Sequence, residues 1–365
     1  MNRMILANVA HRPVRTVISV LAVAIEVAMV MVVVGLTSGL LQESAKRVEG
    51  IGADVMVQPP GSSYFFGVTS APMPIKIGDR LAELPHVQAV TPALFHMETS
   101  GGLNVIYGIA MESFDRVSGG FAFHAGGPFT GPYDVMVDDV YARANHVKVG
   151  LTLSLLNHQF RVSGIVEHGK GARIFVQLAT LQDLLDAHDR ASIFFVKCTD
   201  PGYADDVVNS THQLLPEYKV LPLREYERLM TSNNLPALSA FITAMIGVAV
   251  AIGFLVIFLS MYTTIHERTR EIGILKSLGA SKGYIIAAIL REAALLCLVG
   301  IAGGWGGAFL TRKIILEEFP TLTVALTTVW AMRAAGLAIA GSLIGALYPA
   351  LGAAQLDPVD ALAYE

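Results

Sequence analysis

The stretch HERTREIGILKSLGA, residues His266–Ala280, lies between two long apolar runs and reads as a short helix of mixed character. Glu267 and Arg270 stand one turn apart, with Arg268 and Glu271 beside them, which gives a charged face at helical spacing. Ile272, Leu275 and Gly279 recur at i, i+3, i+7, and Ile274 with Leu278 at i, i+4, so an apolar stripe runs along the other side. Thr269 and Lys276 complete the turns. Gly279 is the expected stop, because glycine accepts the left-handed cap cheaply; Ala280 follows it. Ser281 is the expected cap of the next helix. A helix this short does not hold itself up in water. It needs a partner, either the membrane surface or a groove on another protein.

The composition agrees with a membrane setting. Of 365 residues, 53% are hydrophobic and 15% charged, with mean hydropathy +0.54. Soluble domains carry about 25% charged residues. The apolar runs concentrate at the two ends, and a mixed region fills the middle. The net charge of −4 and the lack of a basic stripe argue against a nucleic-acid partner. Cys198 falls in the polar middle and Cys297 in an apolar run, so a disulfide between them is not expected.

Four spans follow from the hydropathy. Residues 16–41 form the first, after an N-terminal segment, 1–15, that carries Arg3, His11, Arg12 and Arg15. The run exceeds the about 7–15 residues of a signal-peptide core and has no A-x-A site after it, so an anchor is the better reading than a cleaved leader. The second span is 235–263, the connection containing the short helix 264–282, the third span 283–310, an outer loop 311–328, the fourth span 329–351, and a tail 352–365. Arg268, Arg270, Lys276 and Lys282 place the second connection in the cytoplasm, on the same side as the N-terminal arginines. An even number of spans returns the C-terminus there. Gly300, Gly303, Gly304, Gly306 and Gly307 suit close helix packing in the third span. Arg291 and Glu292 lie two turns into it and can pair or snorkel.

Glu26 stands near the middle of the first span. A charge there costs roughly 3 kcal/mol on insertion scales. It must face other helices, be protonated, or pair. A neutral carboxyl hydrogen-bonded to a neighbouring helix or to a second copy is the simpler reading; a coupling or proton-linked site is the functional one.

Residues 42–234 read as a helical stalk continuing the first span, then an α+β domain large enough to bury its own core. Strands are expected at GADVMVQ, HVQAVTPALF, GLNVIYGIAM, YDVMV, two after a turn at Val149–Gly150, IFVQ and ASIFFVKC, and helices at Gly78–Leu84, Asp138–Asn145, Tyr203–Glu217 and Leu223–Leu229. Thr180 is the expected cap of the helix after IFVQ. His168–Gly171 reads as a hairpin turn between two strands.

No catalytic constellation appears. The 365 residues contain no G-x-x-x-x-G-K-[ST] loop, no H-E-x-x-H or C-x-x-C, and no nucleophile elbow. No metal site, no cofactor held by this chain and no enzyme activity are expected. A membrane-bound receptor or enzyme acting alone is the least favoured class for the same reason.

ERTREIGILKSLGAS (267–281), followed by an apolar span, resembles the coupling segment of MacB/FtsX-type ABC transporter permeases, which are related to LolC/LolE. The ending Leu356–Glu365 and the pieces LPHVQAVTP, VDDVYARANHVKVGLTLSL and RIFVQLATLQDLL resemble other parts of that family. The resemblance implies a membrane protein of four transmembrane helices, with an α+β extracytoplasmic domain inserted between the first and second, in a bacterial inner membrane. It implies docking of residues Glu267–Ile272, Leu275, Lys276 and Leu278–Ala280 on a separate dimeric ABC ATPase, which holds the ATP and magnesium. It implies a second permease copy or relative, and a periplasmic adaptor or delivering protein. The expected work is mechanotransmission: export or extraction of a lipid, lipoprotein, peptide or drug, or FtsX-like activation of a cell-wall hydrolase. Glu26 departs from the family, which often has a small residue there.

Overall fold

A computed structural model describes residues 13–62, 72–98, 104–230 and 234–357. The N-terminal Arg3, His11 and Arg12, most of the aromatic loop after Gly61, and the tail from Pro358 lie outside the described residues. The chain forms two units, a helical bundle and an α+β domain.

Four helices of the bundle are long and apolar enough to cross a membrane: α1 (Pro13–Glu49), α8 (Pro236–Glu267), α10 (Lys282–Glu318) and α11 (Thr328–Gln355). In α1 one stripe, Val23, Val27, Val30 and Val34, faces inward, while Ile18, Leu21 and Ile25 point out. The outward apolar residues suit lipid, where only a helix satisfies its own backbone. The facing helices supply small residues, among them Ala249, Ala293, Ala308, Ala334, Ala338 and Ala346, so the backbones approach closely. Two of the five expected packing glycines do this work. A Cβ on Gly300 would stand 2.6 Å from Val23, and one on Gly304 would stand 2.7 Å from Val27. Gly303 and Gly307 have ordinary contacts, and a Cβ on Gly306 would meet nothing.

The helices overrun the expected spans. The outer loop expected at 311–328 begins later, because α10 continues to Glu318 and the first eight of those residues are helical. No helix breaker occurs before Pro320, and Lys313 pairs with Glu317 one turn on, 3.9 Å away.

Gly39–Leu235, with Phe319–Thr323, form the second unit. The stalk, the end of α1, leads to a sheet of order β12-β1-β11-β3-β4-β9-β6-β8-β5, with β7 against β8. The strands are β1 (Val55–Gln58), β3 (Val87–Glu98), β4 (Asn104–Ile109), β5 (Phe123–Gly126), β6 (Asp134–Asp138), β7 (Thr152–Leu155), β8 (His158–Val166), β9 (Ile174–Gln177), β11 (Ile193–Cys198) and β12 (Lys219–Pro222). A small ladder pairs β2 (Met73–Pro74) with β10 (Arg190–Ala191). Helices α2 (Ile77–Ala82), α3 (Met111–Ser118), α4 (Asp139–Ala144), α5 (Leu178–Leu184), α6 (Ala204–Leu214) and α7 (Leu223–Leu229) connect them. Strands β6 and β9 are buried nearly throughout, as interior strands covered on both faces are. One apolar cluster joins β4, β6, β8 and β9 to α4 and α5; another joins β1 and β11 to α2 and α6.

Two local expectations fail. His168–Gly171 is a crossover rather than a hairpin turn, because β6 lies between β8 and β9, parallel to one and antiparallel to the other. Thr180 does not cap α5: Gln177 holds the extended cap position, and the Thr180 hydroxyl donates to the Pro132 carbonyl at 2.7 Å.

Within this unit Arg173, 8% exposed, is a buried hub. It meets Asp138 at 3.3 Å and Glu43 of the stalk at 3.6 Å, and donates to the Thr321 carbonyl at 3.2 Å. Asp138 also caps α4 by accepting from the Tyr141 N–H. Burial pushes the Asp138 carboxyl above its ordinary range, and the Arg173 guanidinium opposes that. Nothing in the sequence spacing brings 43, 138, 173 and 321 together.

Candidate functional site: a short surface helix on the bundle

The segment expected as one helix from His266 is divided. His266 and Glu267 finish α8, and the separate helix is α9, Thr269–Ser277. Arg268 leaves the helical conformation between them, with φ −112° and ψ 16°. The Thr269 hydroxyl donates back to the carbonyls of Ile265 and His266 at 3.0 and 2.9 Å, satisfying groups freed at the break. Gly279 ends α9 in the left-handed conformation, φ +93°. The Ala280 N–H bonds Leu275 O and the Gly279 N–H bonds Lys276 O, both at 3.0 Å, which is a complete Schellman stop. Ser281 Oγ then accepts from the Tyr284 N–H at 3.2 Å at the start of α10.

The sequence placed one apolar stripe opposite one charged face, and the structure divides both. Ile272 is 8% exposed and packs with Ile265, Ile285 and Ala353, so it joins α9 to its own bundle. Leu275 is half-buried. Ile274 and Leu278, 45% and 79% exposed, point away from the bundle, with Arg270 and Glu271 beside them. Arg268 turns inward, to Glu292 of α10 at 3.6 Å and to Glu271 at 3.8 Å. Lys276 donates to the Ala354 carbonyl at 3.0 Å and to that of Leu356, at the end of α11. A cation there answers the unpaired carbonyls of a helix C-terminus. So Arg268, Ile272 and Lys276 hold the helix in place, and Arg270, Glu271, Ile274 and Leu278 remain on its open face. A cleft of about 610 Å³ opens beside it, lined in part by Tyr262, His266, Thr269, Tyr348 and Gln355.

The sequence offered Glu292 only as a pairing or snorkelling residue; it is the buried acceptor that anchors Arg268. Its signal was a carboxylate two turns into an apolar span, which needs a cation. Glu26, the other polar residue singled out, lies in α1 and is 5% exposed. Its carboxylate rests on Gly253 of α8, where any Cβ would collide with it. Among the described residues, no group of three or more His, Cys, Asp or Glu side chains is arranged to hold a metal ion.

A bundle of four span-length helices, an α+β domain inserted after the first, and a short surface helix between the second and third define a permease architecture. Residues 16–214 match the MacB-like periplasmic core domain and residues 243–358 the FtsX-like permease C-terminal family, so the chain belongs to the MacB/FtsX-like ABC transporter permeases. It is 26% identical over 396 residues to "Macrolide export ATP-binding/permease protein MacB" of Sodalis glossinidius, covering 98% of this chain and 59% of that protein. It is 35% identical over 173 residues to "Uncharacterized ABC transporter permease YknZ" of Bacillus subtilis, covering 44% of this chain and 40% of that one. The chain thus spans less than two thirds of the length of these relatives. Among solved structures, the periplasmic region of MacB from Actinobacillus actinomycetemcomitans aligns with TM-score 0.39 and 17% identity, over 50% of this chain and 95% of that one.

Proposed function

We propose that this permease couples ATP binding and hydrolysis by an ABC ATPase subunit to motion of its extracytoplasmic domain. The open face of α9 carries the proposal. A helix fixed to its own bundle by Arg268, Ile272 and Lys276, yet presenting Ile274 and Leu278 between Arg270 and Glu271, has the form of a helix-in-groove ligand. The apolar pair supplies contact area and the flanking charges set the register. The anchoring contacts let a push on α9 reach α8, α10 and α11 directly. The ATP and magnesium belong to the ATPase, and both termini belong to the cytoplasmic side. A second permease copy or relative completes the assembly. The cargo class is a lipid, lipoprotein, peptide or drug, delivered with a periplasmic adaptor.

The test is co-purification of the full chain with candidate ABC ATPase subunits. Leu278→Asp removes an apolar contact worth about 1.5–3 kcal/mol, so binding weakens by roughly ten- to a hundredfold while the chain stays inserted. Ile272→Asp disturbs the bundle itself and serves as the contrasting variant. Retention of the ATPase by native chain and by Leu278→Asp alike would defeat the assignment of this face, and failure of the native chain to retain any ATPase would defeat the coupling.

A further inference from the structure

Glu26 occupies the middle of a membrane span with neither of the partners the simpler reading required. Among the described residues no hydrogen bond or ion pair reaches its carboxyl. It is buried within this one chain, so no second copy is needed to cover it. From α8 the group facing it is Gly253, whose missing side chain makes the space. From α10 the titratable neighbour is Cys297, itself buried, and from α11 comes Ser342, hydrogen-bonded to Cys297. Among the described residues no lysine, arginine or histidine stands against the carboxyl. Two turns away along the same α1–α8 contact, the Ser19 hydroxyl donates to Ser260 at 2.7 Å. One level of this contact is therefore a satisfied polar pair, and the other is a lone carboxyl against bare backbone.

An ionised carboxylate without a cation or donor is not stable in such a site, whereas the neutral acid packs there as a small polar group. We propose that Glu26 is a proton-binding site, and that its bound proton holds α1 against α8. Loss of that proton breaks the carboxyl O–H bond, leaves a carboxylate within the bundle and passes the proton to water. The resulting charge then favours separation of the two helices, because only water or a cation entering between them can solvate it. This proposal needs no ATPase and is independent of the docking assignment.

The experiment uses the full chain in lipid nanodiscs, native beside Glu26→Gln, with Glu26→Met as the second variant should the amide disturb packing. Infrared spectra near neutral pH are expected to show a protonated-carboxyl carbonyl band in the native chain that both variants lack. Raising the pH is expected to remove that band, by about tenfold for each unit beyond its midpoint. The thermal midpoint of the native chain falls as the pH rises from the ordinary carboxylate range up to the band's own midpoint and levels off beyond it, whereas that of the folded variant stays level throughout. A native spectrum without the extra band at neutral pH, or a variant whose midpoint falls in step with the native chain, overturns the proposal.

Discussion

Arg173→Met removes the buried cation shared by Asp138, Glu43 and the Thr321 carbonyl. Asp138 is completely buried, so the substitution leaves its carboxylate beside the sheet without its paired cation, with Arg47 the remaining positive charge acting on it. Breaking a buried pair in this way costs about 3–5 kcal/mol. For a domain of this size each kcal/mol moves the midpoint by about 2–4 °C, so a fall of roughly 6–20 °C is expected. The assay is thermal unfolding of the full chain in nanodiscs, with hydrogen exchange read at β6 and β9. The defect depends on pH. Burial already raises the Asp138 carboxyl above its ordinary range, with Arg173 opposing, and losing Arg173 raises it further. A folded state that holds its proton more tightly than the unfolded one loses stability as pH rises through that window and regains it as pH falls. The Arg173→Met deficit is therefore largest near neutral pH and shrinks in acid, and Asp138→Asn in the same chain recovers part of it. A midpoint within a degree or two of native, or a deficit that grows toward acid, would refute the hub.

Other measurements probe separate parts of the molecule. Gly304→Ala drives a Cβ into Val27 and costs about 1–3 kcal/mol, whereas Gly306→Ala, facing open space, leaves the midpoint unchanged; equal effects would remove α10 from its place against α1. Lys276→Met frees the last carbonyls of α11 and costs about 1 kcal/mol locally, read as roughly fivefold faster hydrogen exchange toward Gln355, with unchanged exchange counting against the cap. The Cys198 thiol is pushed up to about 11, first by burial and then by Asp54, so it stays thiol at neutral pH. Iodoacetamide should leave it unmodified until the domain unfolds, and native-state alkylation seen by mass spectrometry would contradict that.

The spans, the stalk and most strands were legible because each rests on local periodicity. The Gly279 stop and Ser281 cap were legible for the same reason, since each is fixed by one residue's conformational freedom or one side-chain oxygen. What was not legible depends on distant partners. Ile272 and Ile274 are indistinguishable in a helical stripe, and only Ile285 and Ala353 determine which of them turns inward. The break at Arg268 sets its guanidinium against Glu292, more than twenty residues along, a partner no local pattern names. His168–Gly171 resembled a hairpin because it joins consecutive strands, and only the insertion of β6 between them makes it a crossover. Helix α3 and the edge strands β5 and β12 were missed because each is a single short phrase whose burial is set by the sheet.

The strand order bears on how the chain is made. Strand β1 emerges early, yet both its neighbours, β11 and β12, come late: Val57 pairs with Phe194 and Val220. At about 5–20 residues per second, roughly 7–27 seconds of synthesis separate β1 from its first partner. Throughout that interval a buried-type VMVQ strand has neither of its sheet neighbours. The β1 edges are therefore the part of this sheet that must wait longest for their partners, and unpaired edges are where strands add to one another.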